Sequence, residues 1–257
     1  MKTICVMNLK GGVGKTVTAT NMAAIMAAMG KRVQLIDADH QGNTSAFFQA
    51  DQTATTLSEI LRGENEPYWA DNVQRTGYEG LDIVPGNMAL AELETSDGLY
   101  DRWHALYRLR EFVISAAEDD AYDFAIIDMP PAFSTAAKAA LLAADEVIIP
   151  MKLDAFSVSG MSELLRQIAS MRKFNPRLRL AGILVTMYRN TDMTRQAEKI
   201  LRAGSVPVYK TVIRRTDIVD ESTYSSTPLY LYSPNCAAAV DYKRFVREYL
   251  EGSDGRD

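Results

Sequence analysis

Apolar and polar positions along this 257-residue chain follow two alternating patterns. Short apolar runs typical of buried strands are followed by longer segments in which apolar residues recur every three or four positions, as on one face of a helix. The predicted strands span residues 3–7, 32–37, 81–85, 124–128, 146–151, 180–186 and 206–209. The predicted longer helices span residues 16–29, 99–117, 157–174, 192–203 and 237–250. This alternation predicts an α/β fold with a mostly parallel, twisted β-sheet and helices on both faces.

Local signals set further boundaries. Thr56 and Glu59 have capping-box spacing, so a short helix begins there and ends at Gly63. Residues 64–80 are polar and aperiodic, which predicts a surface loop. With 47% hydrophobic residues the chain can form a sizeable core. We therefore expect one domain over residues 1–251 and a frayed tail over residues 252–257.

Composition narrows the function classes. No apolar run approaches the roughly 20 residues of a membrane span, and the chain enters a strand without a signal-peptide pattern. We therefore expect a cytoplasmic protein. Two cysteines, Cys5 and Cys236, cannot form a metal site alone, which argues against iron–sulfur chemistry. The net charge of −5 means that any contact with nucleic acid must come from a local basic patch.

A glycine-rich loop links the first strand to the first helix. It reads Lys10-Gly11-Gly12-Val13-Gly14-Lys15-Thr16. Glycines leave backbone N–H groups open to a polyphosphate, and the following helix directs its positive N-terminal end at the same anion. Lys15 is predicted to bind the β- and γ-phosphates and the Thr16 hydroxyl to bind Mg²⁺. The alternative is a structural turn without a ligand.

The loop departs from the strict Walker pattern because Leu9 stands where that pattern has glycine, and a second lysine, Lys10, begins the loop. This variant resembles the deviant Walker A motif of the ParA/MinD superfamily of ATPases. The resemblance implies a P-loop NTPase fold with the nucleotide bound along residues 10–17. The implied nucleotide-binding residues of the loop are Lys10, Gly11, Gly12, Val13, Gly14, Lys15, Thr16 and Val17. It also implies that Lys10 reaches across a dimer interface to the partner's nucleotide.

Acidic residues at the ends of apolar strands are the candidates for metal binding and hydrolysis. Asp128 ends one strand and resembles the Walker B aspartate that holds Mg²⁺, although a simple strand-end turn has the same pattern. Asp37 and Asp39 end another strand, and residues 37–43 resemble a motif of the same family in which His40 replaces proline. The resemblance implies that Asp39 positions the hydrolytic water and that Asp37 supports Mg²⁺ through its water shell.

Nucleobase contacts are expected from two further segments. The resemblance places Thr186, Met187 and Tyr188 beside the adenine of ATP, together with the segment after Lys210. Family members often have Ile-Pro-Arg there, where this chain has Ile213, Arg214 and Arg215. ATP is the expected nucleotide and Mg²⁺ its expected metal.

Basic residues become frequent late in the chain. The candidates for DNA binding are Arg189, Lys210, Arg214, Arg215, Lys243 and Arg244. Short ParA relatives bind DNA without sequence preference through such a C-terminal surface when they are dimeric with ATP, and phosphate contacts suffice for this. A solvated face of mixed charge is the alternative. It is supported by the interspersed acids Asp217, Asp220 and Glu221, and Ile218 stands where several relatives carry arginine.

The chain is most similar to short, Soj-type ParA partition ATPases. The resemblance implies slow ATP hydrolysis stimulated by a ParB-like or cargo adaptor protein, an ATP-bound homodimer on double-stranded DNA, and association with the nucleoid in that state. Two alternatives remain at this stage. One is a MinD-like positioning ATPase that binds membrane through a C-terminal amphipathic helix. The other is a protein resembling the bacterial tyrosine kinases, which share the Walker frame and carry tyrosine-rich tails.

Overall fold

The computed structural model describes residues 1–95, 99–154 and 157–254. Within them, eight strands form one sheet in the order β3-β4-β2-β5-β1-β6-β7-β8, in which only β3 runs antiparallel to its neighbour. The strands are β1 (Lys2–Val6), β2 (Val33–Asp37), β3 (Gln74–Arg75), β4 (Leu81–Val84), β5 (Phe124–Asp128), β6 (Glu146–Lys152), β7 (Arg179–Tyr188) and β8 (Val208–Arg214). The predicted α/β class with a mostly parallel sheet is confirmed.

The helices connect these strands and cover the sheet. The long ones are α1 (Lys15–Ala28), α6 (Leu99–Glu118), α7 (Thr135–Ala143), α8 (Ser157–Met171), α9 (Asp192–Ala203) and α12 (Ala237–Asp254). The short ones are α2 (Asn43–Phe47), α3 (Leu57–Arg62), α4 (Trp69–Asn72), α5 (Ala89–Glu92), α10 (Ile218–Tyr224) and α11 (Leu229–Tyr232). Among the described residues, none of these helices is both long and apolar enough to cross a membrane.

Alternate residues of each central strand supply two separate cores. In β1, Cys5 faces a core built with α3, α6, α7 and α8, while Ile4 and Val6 face a second core built with α1 and α12. The period of two along the strand therefore divides its apolar side chains between the two faces. Because both faces are covered, the carboxyl edge of the parallel strands is where polar chemistry can reach solvent.

Three predictions of local structure need correction, and one helix was not predicted. Residues 64–80 are not one loop but contain α4 and β3, because Trp69 packs edge-on against Tyr122. The last strand spans Val208–Arg214 instead of residues 206–209. Helix α7 was not predicted because it consists mainly of alanine and leucine and shows no helical period of apolar and polar residues. The terminal helix continues to Asp254, so the start of the predicted tail is helical, and residues 255–257 lie outside the described chain.

The edge strand β8 is capped by a side chain. Both carboxylate oxygens of Glu248, on α12, accept hydrogen bonds from backbone N–H groups of β8, from Lys210 at 2.6 Å and from Thr211 at 2.9 Å. An edge strand otherwise presents unpaired backbone donors. The C-terminal helix thus takes the place of a ninth strand at these two positions.

The amino edge of the sheet contains a buried ionic cluster around Glu146, whose side chain is fully buried at the start of β6. One carboxylate oxygen accepts from the Arg179 guanidinium at 2.7 Å, and the other accepts from the Tyr249 hydroxyl at 2.6 Å. The Lys2 ammonium lies 4.0 Å away. Every oxygen of this buried carboxylate therefore has a donor.

Candidate active site

The glycine-rich loop lies between β1 and α1, at the carboxyl edge of the sheet. Gly12 and Gly14 have φ of 69° and 84°, in the left-handed region that favours glycine. A Cβ added at Gly11, Gly12 or Gly14 would meet no heavy atom within 4 Å, so the loop has open space on that side. Helix α1 starts at Lys15, directly after the loop. This arrangement fits an anion cradle of backbone N–H groups.

Lys15 is buried, and its ammonium lies 3.4 Å from the Lys10 carbonyl oxygen across the loop. Burial lowers the pKa of Lys15, while the nearby carboxylates of Asp128 and Asp39 oppose that shift. The loop thus holds the Lys15 ammonium close to the carboxylates of Asp128 and Asp39. A polyphosphate in the cradle would complete the charge balance on the open side.

The Asp128 carboxylate is the centre of the site. Its Oδ2 accepts hydrogen bonds from the hydroxyls of Thr16 and Thr44, each at 2.7 Å. Its Oδ1 is buried and has no hydrogen-bond partner among the described residues. Thr16 and Asp128 were both predicted from the sequence as metal-binding residues, but Thr44 was missed. Only its position directly after the 37–43 motif could have indicated a role in the site.

Asp37 lies beside Asp128 because β2 and β5 pair them in register. Its Oδ2 accepts from the Ser45 N–H at 2.8 Å and the Ser45 hydroxyl at 2.6 Å. Burial raises the pKa of Asp37, and burial together with the charge of Asp37 raises the pKa of Asp128. Two adjacent buried carboxylates, one with an unpartnered oxygen, fit a divalent cation.

The backbone of this strand end is held by a close contact. A Cβ at Gly86, after β4, would lie 2.4 Å from the Asp37 carbonyl oxygen, so no other residue fits there without a shift. The Ser45 hydroxyl is 3.3 Å from the Gly86 carbonyl and accepts from the Gly86 N–H at 2.9 Å. Neither Gly86 nor Ser45 was identified from the sequence, because neither belongs to a recognisable motif.

Asp39 follows β2 and is buried, with a side chain only 9% exposed and a backbone N–H that donates to Asp37 Oδ1 at 3.2 Å. Its Oδ1 accepts from the Gln41 N–H at 3.1 Å and lies 3.6 Å from His40 Nδ1. His40 is half-buried and directed at the carboxylate that was predicted to orient water. The structure thus places Asp39 close enough to Lys15 to affect its pKa.

Lys10 stands at the head of the loop and forms an ion pair within its own chain. Its ammonium lies 2.7 Å from Asp154 Oδ1 and 2.6 Å from Asp154 Oδ2. The Asn8 side chain accepts from the Lys10 N–H at 2.9 Å and so fixes the backbone at this point. Asp154, 144 residues away along the chain, was not identified from the sequence.

A cavity of about 130 Å³ adjoins the loop. It is lined by Gly14, Val17, Thr186, Met187, Ile213, Arg214, Arg215, Thr216, Val219, Asp220 and Tyr242. The Thr186 hydroxyl donates to the Val13 carbonyl at 2.8 Å, which joins the end of β7 to the loop. Met187 has a φ of 51°. The segments expected beside the adenine therefore do meet next to the phosphate loop.

The candidate DNA-binding residues are distributed over three elements. Arg189 and Arg215 line one cleft with Lys152. Arg214 is bound to Asp241, with its Nε 2.8 Å from that carboxylate. Lys210 is exposed on β8, Arg244 is exposed on α12 and Lys243 is half-buried there. The structure brings Arg189 and Arg215 together, and it places Lys210, Lys243 and Arg244 outside the lining of their cleft.

Comparisons with known proteins agree with this geometry. A family model described as "AAA domain" matches residues 1–180. Chromosome partitioning protein ParA of Caulobacter vibrioides (strain NA1000 / CB15N) is 36% identical over 255 residues, covering 97% of this chain and 94% of the relative. Sporulation initiation inhibitor protein Soj of Bacillus subtilis (strain 168) is 32% identical over 252 residues, covering 96% of this chain and 97% of the relative.

Among solved structures, cobyrinic acid a,c-diamide synthase from Mycobacterium smegmatis, with bound ADP and magnesium, superposes with a TM-score of 0.83. It is 29% identical and covers 100% of this chain and 97% of its own. The chain is therefore similar to ParA and Soj over nearly its full length. It also has the deviant phosphate loop, next to the adjacent carboxylates of Asp37 and Asp128. This chain belongs to the ParA/MinD superfamily of ATPases.

Proposed function

We propose that this chain is a Soj-type partition ATPase that binds ATP with Mg²⁺ and alternates between an ATP-bound dimer on DNA and a released form. The observation that carries the proposal is the buried pair Asp37 and Asp128 below a loop that holds Lys15. Support comes from relatives named for chromosome partitioning that align over nearly the full chain, and from a solved relative that holds ADP and magnesium.

The phosphate site acts mainly by binding and orientation. The N–H groups of residues 11–16 and the Lys15 ammonium hold the β- and γ-phosphates of ATP. Thr16 and Asp128 would hold Mg²⁺, Asp128 through a water, and Asp37 would support the water shell. Asp128 Oδ1, which has no hydrogen-bond partner among the described residues, is the acceptor that this needs. Bound there, Mg²⁺ would supply positive charge against the negative charge that develops on the phosphates.

Hydrolysis requires a water aligned with the γ-phosphate. Asp39, held by the Gln41 N–H, orients that water. A site that only positions water turns over slowly until a further group completes it. We propose that a second copy of the chain and a ParB-like or cargo adaptor supply the missing contacts.

Lys10 is the residue proposed to act across the dimer. Its ammonium would then leave Asp154 and reach the partner's nucleotide, so that each active site combines Lys15 and Asp39 of one chain with Lys10 of the other. Mixing Lys10→Ala and Asp39→Ala proteins, each inactive alone, tests this arrangement. One of the two sites in the mixed dimer is complete, so partial ATPase activity should return. If differentially tagged mixed dimers form and stay inactive, Lys10 does not act in trans.

DNA binding is tested by retention on immobilised duplexes of unrelated sequence. The Asp39→Ala protein with ATP and Mg²⁺ should be retained, and the Lys15→Ala protein should not. Raising salt from roughly 50 to 200 mM should weaken retention on the order of 40-fold if three phosphates are contacted. Arg189→Ala and Arg215→Ala should weaken retention, while Arg166→Ala, on α8, should leave it unchanged. Equal retention with and without ATP would contradict the proposed switch.

The two alternatives predict different outcomes in the same assays. A MinD-like protein would bind liposomes instead of DNA. The terminal helix argues against this, because its apolar side chains Tyr242, Phe245, Val246 and Tyr249 are buried in the core of this chain. A kinase-like protein would transfer phosphate to tyrosine, and two of the late tyrosines, Tyr242 and Tyr249, are inaccessible for the same reason.

A further inference from the structure

The cavity beside the phosphate loop has a charged wall that the family pattern does not predict. Arg214 lines it at the position where family members often have proline, and it comes at the end of β8. We propose that the Arg214 guanidinium stacks on the adenine of ATP and that Asp241, on α12, is the positioning residue that holds it there. This inference rests on the ATP binding proposed above and on no other part of that proposal.

Arg214 and Asp241 form a two-point ion pair. Arg214 Nε lies 2.8 Å from Asp241 Oδ2, and Arg214 Nη2 lies 2.8 Å from Asp241 Oδ1. The Arg214 backbone N–H donates to the same carboxylate at 3.0 Å, and Nη2 also lies 3.3 Å from the Ala237 carbonyl. Four contacts therefore fix both the backbone and the plane of this guanidinium.

The two members of this ion pair differ in burial. The Asp241 side chain is 2% exposed, whereas the Arg214 side chain is 50% exposed. A buried carboxylate is costly unless it is paired, so Asp241 requires Arg214 where it stands. Because half of the Arg214 side chain stays exposed and the residue lines the cavity, its guanidinium can offer a stacking surface to a bound base. The pKa of Arg214 is raised by this bond, so the platform is always charged.

The other walls of the cavity include the apolar side chains of Val17, Met187, Ile213 and Val219, next to Gly14 of the phosphate loop. Arg214, Arg215 and Asp220 are the charged residues of the lining. A flat aromatic base extending from a phosphate bound in the loop fits a space that combines apolar walls with a planar guanidinium. A guanidinium stacks on an aromatic ring through cation–π attraction, which an aliphatic side chain cannot supply.

Arg215 also lines the cavity, but it is held differently. Its backbone N–H donates to the Tyr188 carbonyl at 3.0 Å, and its side chain also lines the neighbouring cleft with Lys152 and Arg189. Its charge therefore belongs to an exposed cationic cleft as much as to the base cavity. The bond to a buried carboxylate distinguishes Arg214 from Arg215 as the fixed wall.

The test compares ATP with inorganic tripolyphosphate, which occupies the phosphate loop but has no base. Affinities are measured by calorimetry with Mg²⁺ and without DNA. Arg214→Ala should lower the affinity for ATP on the order of 10-fold, as loss of a desolvated cation–π contact would, and leave the affinity for tripolyphosphate unchanged. The matched control is Arg166→Ala, which removes another two-point arginine–carboxylate pair, with Glu163 on the exposed face of α8.

Asp241→Asn tests positioning. It should lower the ratio of ATP affinity to tripolyphosphate affinity several-fold, because Arg214 loses its anchor. A purely structural role would lower both affinities together, along with the thermal midpoint. In the Arg214→Ala/Asp241→Asn double variant the second change should add little to the loss of ATP affinity, since Asp241 acts through Arg214.

Three outcomes would overturn the inference. An unchanged affinity ratio in Arg214→Ala would show that Arg214 does not contact the base. A reduced ratio in Arg215→Ala with none in Arg214→Ala would assign the wall to the neighbouring arginine. Additive losses in the double variant would refute the positioning role of Asp241. Failure of wild-type protein to bind either ligand would instead contradict the proposed ATP site.

Discussion

The two edges of the sheet each bury acidic side chains, and the two clusters differ in how completely those acids are paired. At the amino edge, Glu146 has arginine, lysine and tyrosine around its two oxygens. At the carboxyl edge, Asp37 and Asp128 lie side by side, and one oxygen of Asp128 has no partner among the described residues. The same fold thus contains a complete ionic cluster and an incomplete one.

The difference separates stability from function. A fully paired buried carboxylate contributes to a unique packing and needs nothing further. An incompletely paired cluster raises the free energy of the folded chain and retains binding capacity for a cation and for the phosphates above it. Substitutions at the amino edge should therefore change unfolding, and substitutions at the carboxyl edge should change nucleotide binding.

The largest effect is expected for Glu146→Ala. Removing the carboxylate leaves Arg179 and Tyr249 without their partner, and breaking such a buried pair costs about 3 kcal/mol of unfolding free energy. The thermal midpoint should fall by about 6–12 °C while ATP affinity stays unchanged. The control is Glu163→Ala, which breaks an exposed ion pair with Arg166 and should cost less than about 1 kcal/mol. A large loss of ATP affinity in Glu146→Ala would remove the distinction between the two edges.

Lys15→Ala should have the opposite signature. Without the ammonium, the loop loses its charged contacts to the β- and γ-phosphates, and ATP affinity should fall about 100-fold. The exposed Lys199→Ala is the control for loss of one positive charge. Calorimetry measures binding, and a thermal melt checks that the variant is folded. Retention of near wild-type affinity would show that the phosphates do not bind at this loop.

The pH dependence of the metal-free protein is the third test. Because the folded chain raises the pKa of Asp128, it binds that proton more tightly than the unfolded chain does. This contribution to stability is therefore fully present below the unfolded pKa of about 4 and is lost as pH rises toward the folded pKa. Asp128→Asn cannot titrate, so its free energy of unfolding should rise relative to that of wild type as pH increases from about 4 through the folded pKa of Asp128, which is about 7.

Chemical denaturation at each pH, in the presence of a chelator, measures that difference. Other acids with lowered pKa, such as Asp119 and Asp123, titrate in both proteins and cancel in the comparison. Mg²⁺ with ATP should stabilise wild type at pH 8 more than it stabilises Asp128→Asn. If the free energies of unfolding of the two proteins changed with pH in parallel, folding would not raise the pKa of Asp128.

The smallest effects come from a matched pair of single-bond deletions. Tyr249→Phe removes the 2.6 Å bond to Glu146, and Thr44→Val removes the 2.7 Å bond to Asp128. Tyr249→Phe should cost about 1 kcal/mol of unfolding free energy and leave ATP affinity unchanged. Thr44→Val should weaken Mg²⁺-dependent ATP binding about 5-fold. The change in the free energy of unfolding should be smaller, because the Asp128 carboxylate that loses this hydrogen bond can take up a proton. Reversed signatures would contradict the division between the edges.

Sequence alone predicted the half of this comparison that belongs to contiguous motifs. Lys15, Thr16 and Asp128 were identified because the loop and the strand end are recognisable by themselves. Thr44 and Asp154 were missed because their partners lie 84 and 144 residues away, and no periodicity reports a contact over that distance. The Glu146 cluster was missed for the same reason.

The same limit applies to the fold. Strand β5 was predicted at the bounds observed, because five buried apolar or terminal residues in a row leave no other reading. Helix α7 was missed because seven of its nine residues are alanine or leucine, so its sequence shows no alternation of apolar and polar faces. Strand β8 was displaced because its exposed residues alternate with buried ones, and its pairing with β7 decides where it ends.

The hydrogen bonds that the Glu248 carboxylate, on α12, accepts from the edge strand β8 have a consequence for self-association. Two neighbouring backbone donors of an edge strand are already occupied, so a strand from another molecule cannot pair there without displacing an acid that is also negatively charged. Uncontrolled strand addition is therefore blocked at these two positions of β8, whichever surface the proposed ATP-dependent dimer uses. Shortening Glu248 to alanine would open that route to aggregation without touching the nucleotide.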